Sequence, residues 1–318
     1  MFMVNSMSRL KQFKTIEEQI NILEDKGLII NDYDKTKEIL LRENYFFING
    51  YRHVFFKSSK DKEFINGTTF EELYALFTFD RNIRNILFKY LLIVENNLKS
   101  IFSYHLSSKY GYKEKEYLKM SNFTTDISKI RQVSDVINKM KRQIRVNAKQ
   151  HSATLHYLTN YGYVPMWILV KVLSFGIISE LYMILKPEDQ KEIAKYYNMD
   201  KEDMCIFLPI MSNYRNLCAH EDIIYNYRTQ RSIPNNKYHQ MLRIEKSEDD
   251  EYIYGKNDLF SLILMFKYML REDDFRKLVN EIGYEIDVLD GKLNVIEISK
   301  ILDKLGFPPN WRDIIDVN

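Results

Sequence analysis

The sequence predicts an all-α protein, and three observations lead to this prediction. Only ten of the 318 residues are glycine and six are proline, which disfavours turn-rich β architecture. Hydrophobic residues make up 45% of the chain, enough for a sizeable buried core. Apolar side chains recur every three or four positions along most segments, the spacing of an amphipathic helix. We therefore expect a helical bundle core with additional helices at both ends and a small polar insertion.

Four regions follow from these patterns. An N-terminal helical segment is predicted over residues 1–66, and a helical core over 67–228. The polar stretch 229–257 contains SIPNN and SEDDE and is predicted to be a loop or a small hairpin insertion. Helices are expected again over 258–318.

Local signals position the helices of the core. Thr68 or Thr69 can cap a helix, because two glutamates follow in its first turn, where the helix dipole favours negative charge. A long helix is predicted from about Asp80 to Tyr110, and another from about Asp126 to Lys149. The apolar stretch 164–185 is interrupted by charges, so we interpret it as a buried helix or helix pair rather than a membrane span. Other helices are expected near 15–26, 34–44, 187–197, 206–220, 258–270, 273–282 and 295–305.

Charge and cysteine content restrict the function classes. The net charge is only +2, so any nucleic-acid surface must be local rather than global. Cys205 and Cys218 cannot form a disulfide framework or a cysteine-based metal site, and free thiols suit a reducing cytoplasm. The N-terminus lacks the apolar run of a signal peptide. No glycine-rich phosphate loop and no metal-ligand cluster is visible, so we expect neither cofactor nor metal.

The strongest chemical motif is the run RNLCAHE, which contains Arg215, Asn216 and His220. Metal-free RNA cleavage needs a base, an acid and a cation at the phosphorane, and arginine with histidine supplies this minimum set. The spacing alone is weak evidence, because Arg145 and His151 repeat it. From spacing and chemistry alone, a structural salt bridge to Arg215 and a favourable helix-end position for His220 are the more common explanation of such a pair.

An apolar stripe separates the arginine from the histidine on the predicted motif helix. At about 100° per residue, Arg215 lies about 140° from His220, whereas Asn216 shares a side with His220. A two-fold contact through the stripe would bring two arginines and two histidines into one cleft, so we expect a homodimer. The stripe comprises Ile210, Tyr214, Leu217 and Cys218.

Glu95 lies in the apolar stretch LLIVENNLKS, where a buried carboxylate requires a partner. It can hold Arg215 in position, or it can form a purely structural pair with Arg81, Arg84 or Lys99. Arg81 and Arg84 can themselves bind phosphate, although a solvated face is the more common role for such residues.

The segment 129–151 is the best RNA-contact candidate, because it combines an apolar face with a basic face that carries a single acid, Asp135. An ordinary amphipathic surface helix would show the same pattern. The basic face comprises Lys139, Lys141, Arg142, Arg145 and Lys149.

Five segments, in order, resemble the Abi family of AbiD/AbiF-like abortive-infection proteins, over about residues 35–315. They are GTTFEELYALFTFDRNIRNILFKYLLIVENNLKS, YHLSSKYG, VPMWILVKVLSFGIISELY, SNYRNLCAHE and LDKLGFPPNW. RNLCAHED also resembles the R-N-x-x-A-H motif of HEPN nucleases. The resemblance implies an α-helical HEPN-like core, a dimer, an RNA substrate and a toxic role in phage defence, often beside a structured noncoding RNA. Arg215, Asn216 and His220 match the motif, whereas Glu221 stands where many members have a second histidine.

Three hypotheses for the function follow from the sequence. The first is a metal-independent HEPN endoribonuclease that acts as a toxin in phage defence. The second is a noncatalytic RNA-binding protein that assembles with a small structured noncoding RNA. The third is a protein–protein effector that uses its helical faces for assembly.

Overall fold

The structure is a computed structural model that describes residues 12–58 and 60–317. In this part of the chain the regular structure consists of α-helices, short 3-10 helices and isolated β-bridges, which confirms the all-α prediction. The α-helices are α1 (Ile16–Glu24), α2 (Tyr33–Glu43), α3 (Tyr45–Asn49), α4 (Phe70–Tyr110), α5 (Glu114–Tyr117), α6 (Ile130–Asn147), α7 (Ser152–Tyr161), α8 (Met166–Val172), α9 (Phe175–Ile184), α10 (Pro187–Lys195), α11 (Lys201–Ala219), α12 (Lys237–Met241), α13 (Leu259–Met269), α14 (Glu272–Asp290) and α15 (Ile298–Leu305).

Two compact units divide these elements. The first contains the described residues up to Asp80 together with Ile286–Ile301, and the second contains Arg81–Glu285 and the described residues from Leu302 onward. In the first unit, Glu72 is almost fully buried and its carboxylate accepts hydrogen bonds from the backbone N–H groups of Asn294 and Val295 at 2.6 and 2.9 Å. Glu72 thereby ties two distant parts of the chain into one unit.

The beginning of α4 confirms the predicted capping site. The Thr69 hydroxyl accepts a hydrogen bond from the Glu72 N–H at 3.2 Å, and the Glu72 carboxylate accepts one from the Thr69 N–H at 3.2 Å. The predicted start of the long helix near Asp80 is wrong, because α4 is one continuous helix of 41 residues from Phe70. No glycine or proline interrupts 70–110, and the Tyr51 hydroxyl donates to the buried Asp80 carboxylate at 2.6 Å.

Helix α13 lies in the core of the second unit. Every residue from Leu259 to Phe266 is buried, the pattern expected of a helix that is covered on all sides. The stretch 164–185 forms the helix pair α8 and α9 rather than one helix, and α9 packs against the motif helix α11. The polar insertion contains the short helix α12 and one isolated bridge between Lys246 and Tyr252.

A second buried carboxylate, Asp189, lies at the start of α10 and accepts hydrogen bonds from three side chains of α4. The donors are the Lys109 ammonium (2.5 Å), the Tyr110 hydroxyl (2.5 Å) and the His105 ring (2.8 Å). Burial by itself raises the pKa of Asp189, but these hydrogen bonds outweigh it, so the pKa lies below its usual value. The segment YHLSSKYG, one of the five that resemble the Abi family, thus has a structural role in joining α4 to α10.

Candidate functional site

The motif residues lie at the C-terminal end of α11. The helix starts after Asp200, has Glu202 and Asp203 in its first turn, and ends at the C-cap residue His220. Glu221 then takes a positive φ of 57°, and the Asp222 N–H bonds back to the Leu217 carbonyl at 3.1 Å. This Schellman-type ending stops the helix directly after the motif, so that His220 lies at its tip.

One side of α11 is buried in the core, and two of the motif residues lie on the exposed side. Ile210, Tyr214 and Cys218 are buried, whereas Asn216 and His220 are exposed. Most of the apolar stripe is therefore covered by the same chain, and our prediction of a two-fold contact through it is wrong. The side chains of Asn216 and His220 form no hydrogen bond with any described residue, so both are available to a ligand.

The Arg215 side chain is partly exposed and contacts a buried acid, Glu95. Its Nε lies 3.4 Å from Oε2 of Glu95, in an ion pair without a hydrogen bond. Its guanidinium carbon lies 5.6 Å from the centre of the Phe88 ring, a cation–π geometry. The Arg215 side chain remains 28% exposed, so that its free edge can reach a phosphate while its other side is positioned.

Glu95 has two partners rather than one. It is 4% exposed, and its Oε1 also accepts a hydrogen bond from the Lys99 ammonium at 2.7 Å. The two interpretations from the sequence, a structural pair with Lys99 and an anchor for Arg215, are therefore both present. The Glu95 carboxylate thus links Lys99 of its own helix to Arg215 of the motif helix.

Arg84 does not lie on a solvated face, contrary to the more common role we considered for it. It is 2% exposed, and its guanidinium donates a hydrogen bond to the Asp222 carbonyl at 3.2 Å, directly after the motif. Arg84, Phe88, Glu95 and Lys99 fall within about 60° on the α4 wheel, so that one face of α4 supports the end of α11. This repeated spacing was visible in the sequence and would have identified Arg84 as a positioning residue.

The predicted basic face lies on α6 and the turn after it. All five predicted RNA contacts, Lys139, Lys141, Arg142, Arg145 and Lys149, are exposed. Lys139 pairs with Glu180 at 2.6 Å, whereas the other four have no ion pair within the described residues. Four unneutralised cations therefore remain for a polyanion.

The second arginine–histidine spacing belongs to different elements. Arg145 lies near the end of α6, while His151 is the N-cap of α7, where its Nδ1 accepts a hydrogen bond from the Thr154 N–H at 3.3 Å. This histidine has a structural task. Among the described residues, no group of three or more His, Cys, Asp or Glu side chains is arranged to hold a metal ion.

The comparison with family models gives one match, to the model of Abi-like proteins, over residues 38–226. This match covers more than half of the chain and includes all the candidate site residues. The chain belongs to the Abi-like protein family. Comparisons with curated proteins and with solved structures found no match. Membership of this Abi-like family indicates a role in abortive infection, a form of phage defence. No helix in the described part of the chain is long and apolar enough to cross a membrane.

Proposed function

We propose that this Abi-like protein is a HEPN-type endoribonuclease that cleaves RNA without a metal ion and acts as a toxin in phage defence. The observation that carries the proposal is the end of α11, where the exposed Asn216 and His220 accompany an Arg215 that a buried carboxylate positions. A purely structural salt bridge at Arg215 would not require the exposed histidine and asparagine beside it. This arrangement is suited to a phosphodiester that approaches from solvent.

The chemistry assigns one task to each residue. A base removes the proton from a ribose 2′-OH, and the 2′-oxygen attacks the adjacent phosphorus. The bond to the 5′-oxygen breaks, an acid protonates that oxygen, and the products carry a 2′,3′-cyclic phosphate and a 5′-OH. His220 acts as base or acid, Arg215 stabilises the charge on the phosphorane, and Asn216 orients His220 or binds the phosphate.

A second histidine comes from a partner protomer in this proposal, because the motif helix contains one histidine and position 221 is glutamate. Since most of the apolar stripe is buried, the contact would use the exposed side of α11, around Asn213, Asn216 and His220. Mixing wild-type protein with excess inactive His220→Ala tests this idea, because a mixed dimer contains a single His220. A loss of cleavage beyond simple dilution of wild type supports a composite site, and a fully active monomer in light scattering contradicts it.

Induced expression in a bacterial host tests the nuclease proposal. We expect wild type to stop growth and to produce RNA fragments with cyclic-phosphate ends. His220→Ala should lower cleavage by about 10²–10⁴-fold, and Arg215→Lys should also lose activity because lysine lacks the planar fork. His53→Ala, which removes an exposed histidine outside the motif, is the matched control and should remain toxic. Full activity of a well-folded His220→Ala variant would refute the proposal.

The unpaired cations of α6 favour a second candidate, a noncatalytic protein that binds a structured RNA. In that case purified protein carries RNA, seen as a high ratio of absorbance at 260 to 280 nm, and His220→Ala leaves both RNA binding and toxicity unchanged.

A further inference from the structure

Six aromatic side chains form a connected surface on α7, α8 and the segments beside them. The ring centres of Tyr112 and Tyr163 lie 5.6 Å apart, those of Tyr112 and Trp167 lie 6.2 Å apart, and those of Tyr161 and Tyr163 lie 6.2 Å apart. Tyr157 and His156 continue the cluster from Tyr161. We refer to these residues as the aromatic surface: Tyr112, His156, Tyr157, Tyr161, Tyr163 and Trp167.

The aromatic surface is open to solvent. Tyr112 is 44% exposed, Tyr161 57% and Trp167 43%. Isolated exposed rings are ordinary, but a contiguous group of large aromatic side chains on a surface marks a binding site. The motif site does not include any of these residues.

Backbone contacts hold the aromatic surface in place. The Tyr117 hydroxyl donates to the Val164 carbonyl at 2.7 Å, and the Val164 N–H donates to the Glu114 carboxylate at 2.9 Å. Gly162 ends α7 with a φ of 73°, which turns the chain so that Tyr161 and Tyr163 lie on one surface. The rings are thus preorganised, which lowers the entropic cost of ligand binding.

Positive charge accompanies the rings. The Lys113 ammonium lies 5.8 Å from the Tyr112 ring centre and 5.4 Å from that of Tyr163. Lys171 is exposed one helical turn after Trp167 on α8. Neither lysine forms an ion pair within the described residues, whereas the nearby Glu114 already accepts a backbone N–H. Helix α6, which carries the unneutralised basic face, packs against both α7 and α8.

Flat apolar rings interspersed with free cations match one ligand chemistry in particular. Single-stranded RNA presents unstacked bases, which stack on aromatic side chains, and phosphates, which attract lysine. Protein–protein interfaces, in contrast, are depleted of lysine. Charge and ring geometry therefore favour a single-stranded nucleic acid as the occupant.

We propose that the aromatic surface binds single-stranded RNA, with bases stacked on Tyr112, Tyr161 and Trp167 and with phosphates at Lys113 and Lys171. The inference rests on the proposed function in one respect, namely that RNA is the ligand of this protein. It adds a strand-binding surface separate from the cleavage motif, one that selects unpaired segments of the RNA.

Tryptophan fluorescence gives a direct test, because the chain contains two tryptophans and the other one, Trp311, is only 3% exposed. A uridine dodecamer is titrated into full-length His220→Ala protein, and binding is followed in parallel by anisotropy of labelled RNA. We expect the RNA to quench the Trp167 emission. Trp167→Phe should abolish the quenching but retain binding, because phenylalanine still stacks.

Affinity measurements separate stacking from charge. Tyr112→Ala and Trp167→Ala should each weaken binding by about 5- to 150-fold. Tyr284→Ala, which removes a 67% exposed tyrosine outside the surface, should leave binding unchanged. The double variant Lys113→Ala/Lys171→Ala should flatten the slope of log K against log salt by about 1.4, since each single-strand phosphate contact contributes about 0.7.

Two results would overturn the inference. One is RNA binding without quenching and with unchanged affinity in Tyr112→Ala and Trp167→Ala. The other is self-association, seen by light scattering, that these variants abolish while RNA binding persists, because the surface would then be a protein contact. Wild-type cleavage without quenching would refute this inference alone, whereas quenching without cleavage would refute the nuclease proposal alone.

Discussion

The buried acid at the motif offers the sharpest test of how the site is built. Glu95 and Lys99 are 4% and 8% exposed and form a 2.7 Å hydrogen bond. Removing one partner of such a pair leaves an uncompensated buried charge and costs about 3–5 kcal/mol. Replacing both partners by apolar side chains of similar volume is close to neutral. We therefore expect Glu95→Met to lower the free energy of unfolding by an amount in this range. The double variant Glu95→Met/Lys99→Met should restore the free energy of unfolding to nearly the wild-type value.

Activity should not recover with stability in the double variant. The Arg215–Glu95 contact of 3.4 Å corresponds to a Coulomb energy between about 1 and 5 kcal/mol, depending on whether the surroundings behave as water or as a protein surface. Without that attraction Arg215 is no longer positioned at the phosphate. A displacement of about 1 Å costs about 10²-fold in rate, and we expect that loss in a double variant of wild-type stability.

Urea unfolding followed by circular dichroism, together with cleavage of total RNA, measures both quantities. Lys99→Met is the matched control, because it leaves the Glu95–Arg215 pair intact and should retain cleavage per folded molecule. A Glu95→Met variant as stable as wild type would contradict the role of the buried pair. A stable double variant with full cleavage activity would contradict the positioning of Arg215 by Glu95.

Three further predictions concern stability and metal dependence. Gly306→Ala should destabilise the fold by about 1–3 kcal/mol more than Gly162→Ala in urea unfolding. Both glycines have positive φ, but a Cβ at Gly306 would lie 2.1 Å from the Asp258 carboxyl carbon, whereas a Cβ at Gly162 would have no neighbour within 4 Å. Equal losses of stability in the two variants would contradict this reasoning. Asp189→Asn should cost about 3 kcal/mol at pH 7. Folding lowers the pKa of Asp189, so its contribution to the free energy of unfolding is present above the pKa of the unfolded state and is lost as the pH falls through the pKa of the folded state. The stabilities of wild type and variant should therefore converge at acid pH, and a difference independent of pH would refute this. Cleavage should persist in excess EDTA with an RNA that folds without magnesium, and loss that added divalent metal restores would contradict the mechanism.

Much of the helical architecture was readable from the sequence, because the signals for a helix lie within a few residues of one another. A cap at Thr68 or Thr69, followed by two glutamates, indicated where α4 begins, and the apolar periodicity predicted α6 and α13. The start of the long helix expected near Asp80 was wrong. The structure continues the helix from the Thr69 cap through Asp80, whose carboxylate accepts a hydrogen bond from the Tyr51 hydroxyl.

The candidate site was likewise predictable from the sequence only in part. The type and spacing of Arg215, Asn216 and His220 could be predicted from the sequence, as could an acidic partner on another helix. Which side of α11 is covered could not, because that depends on the packing of α11 against α9 rather than on its own periodicity. An apolar stripe looks the same whether it faces its own core or a second protomer.

The sequence by itself determined the all-α class, the family and the residue types of the motif, since these depend on local patterns in the chain. Only the tertiary structure decided that Glu95 contacts both Lys99 and Arg215, that Arg84 binds the carbonyl after the motif, and that a cluster of rings is left exposed beside α6. The physical reason is that the contacts of Arg215 with Glu95 and of Arg84 with the Asp222 carbonyl join residues 120 or more positions apart and depend on how whole helices pack. Helix packing is a collective result of burying every apolar face at once, so no single segment contains it.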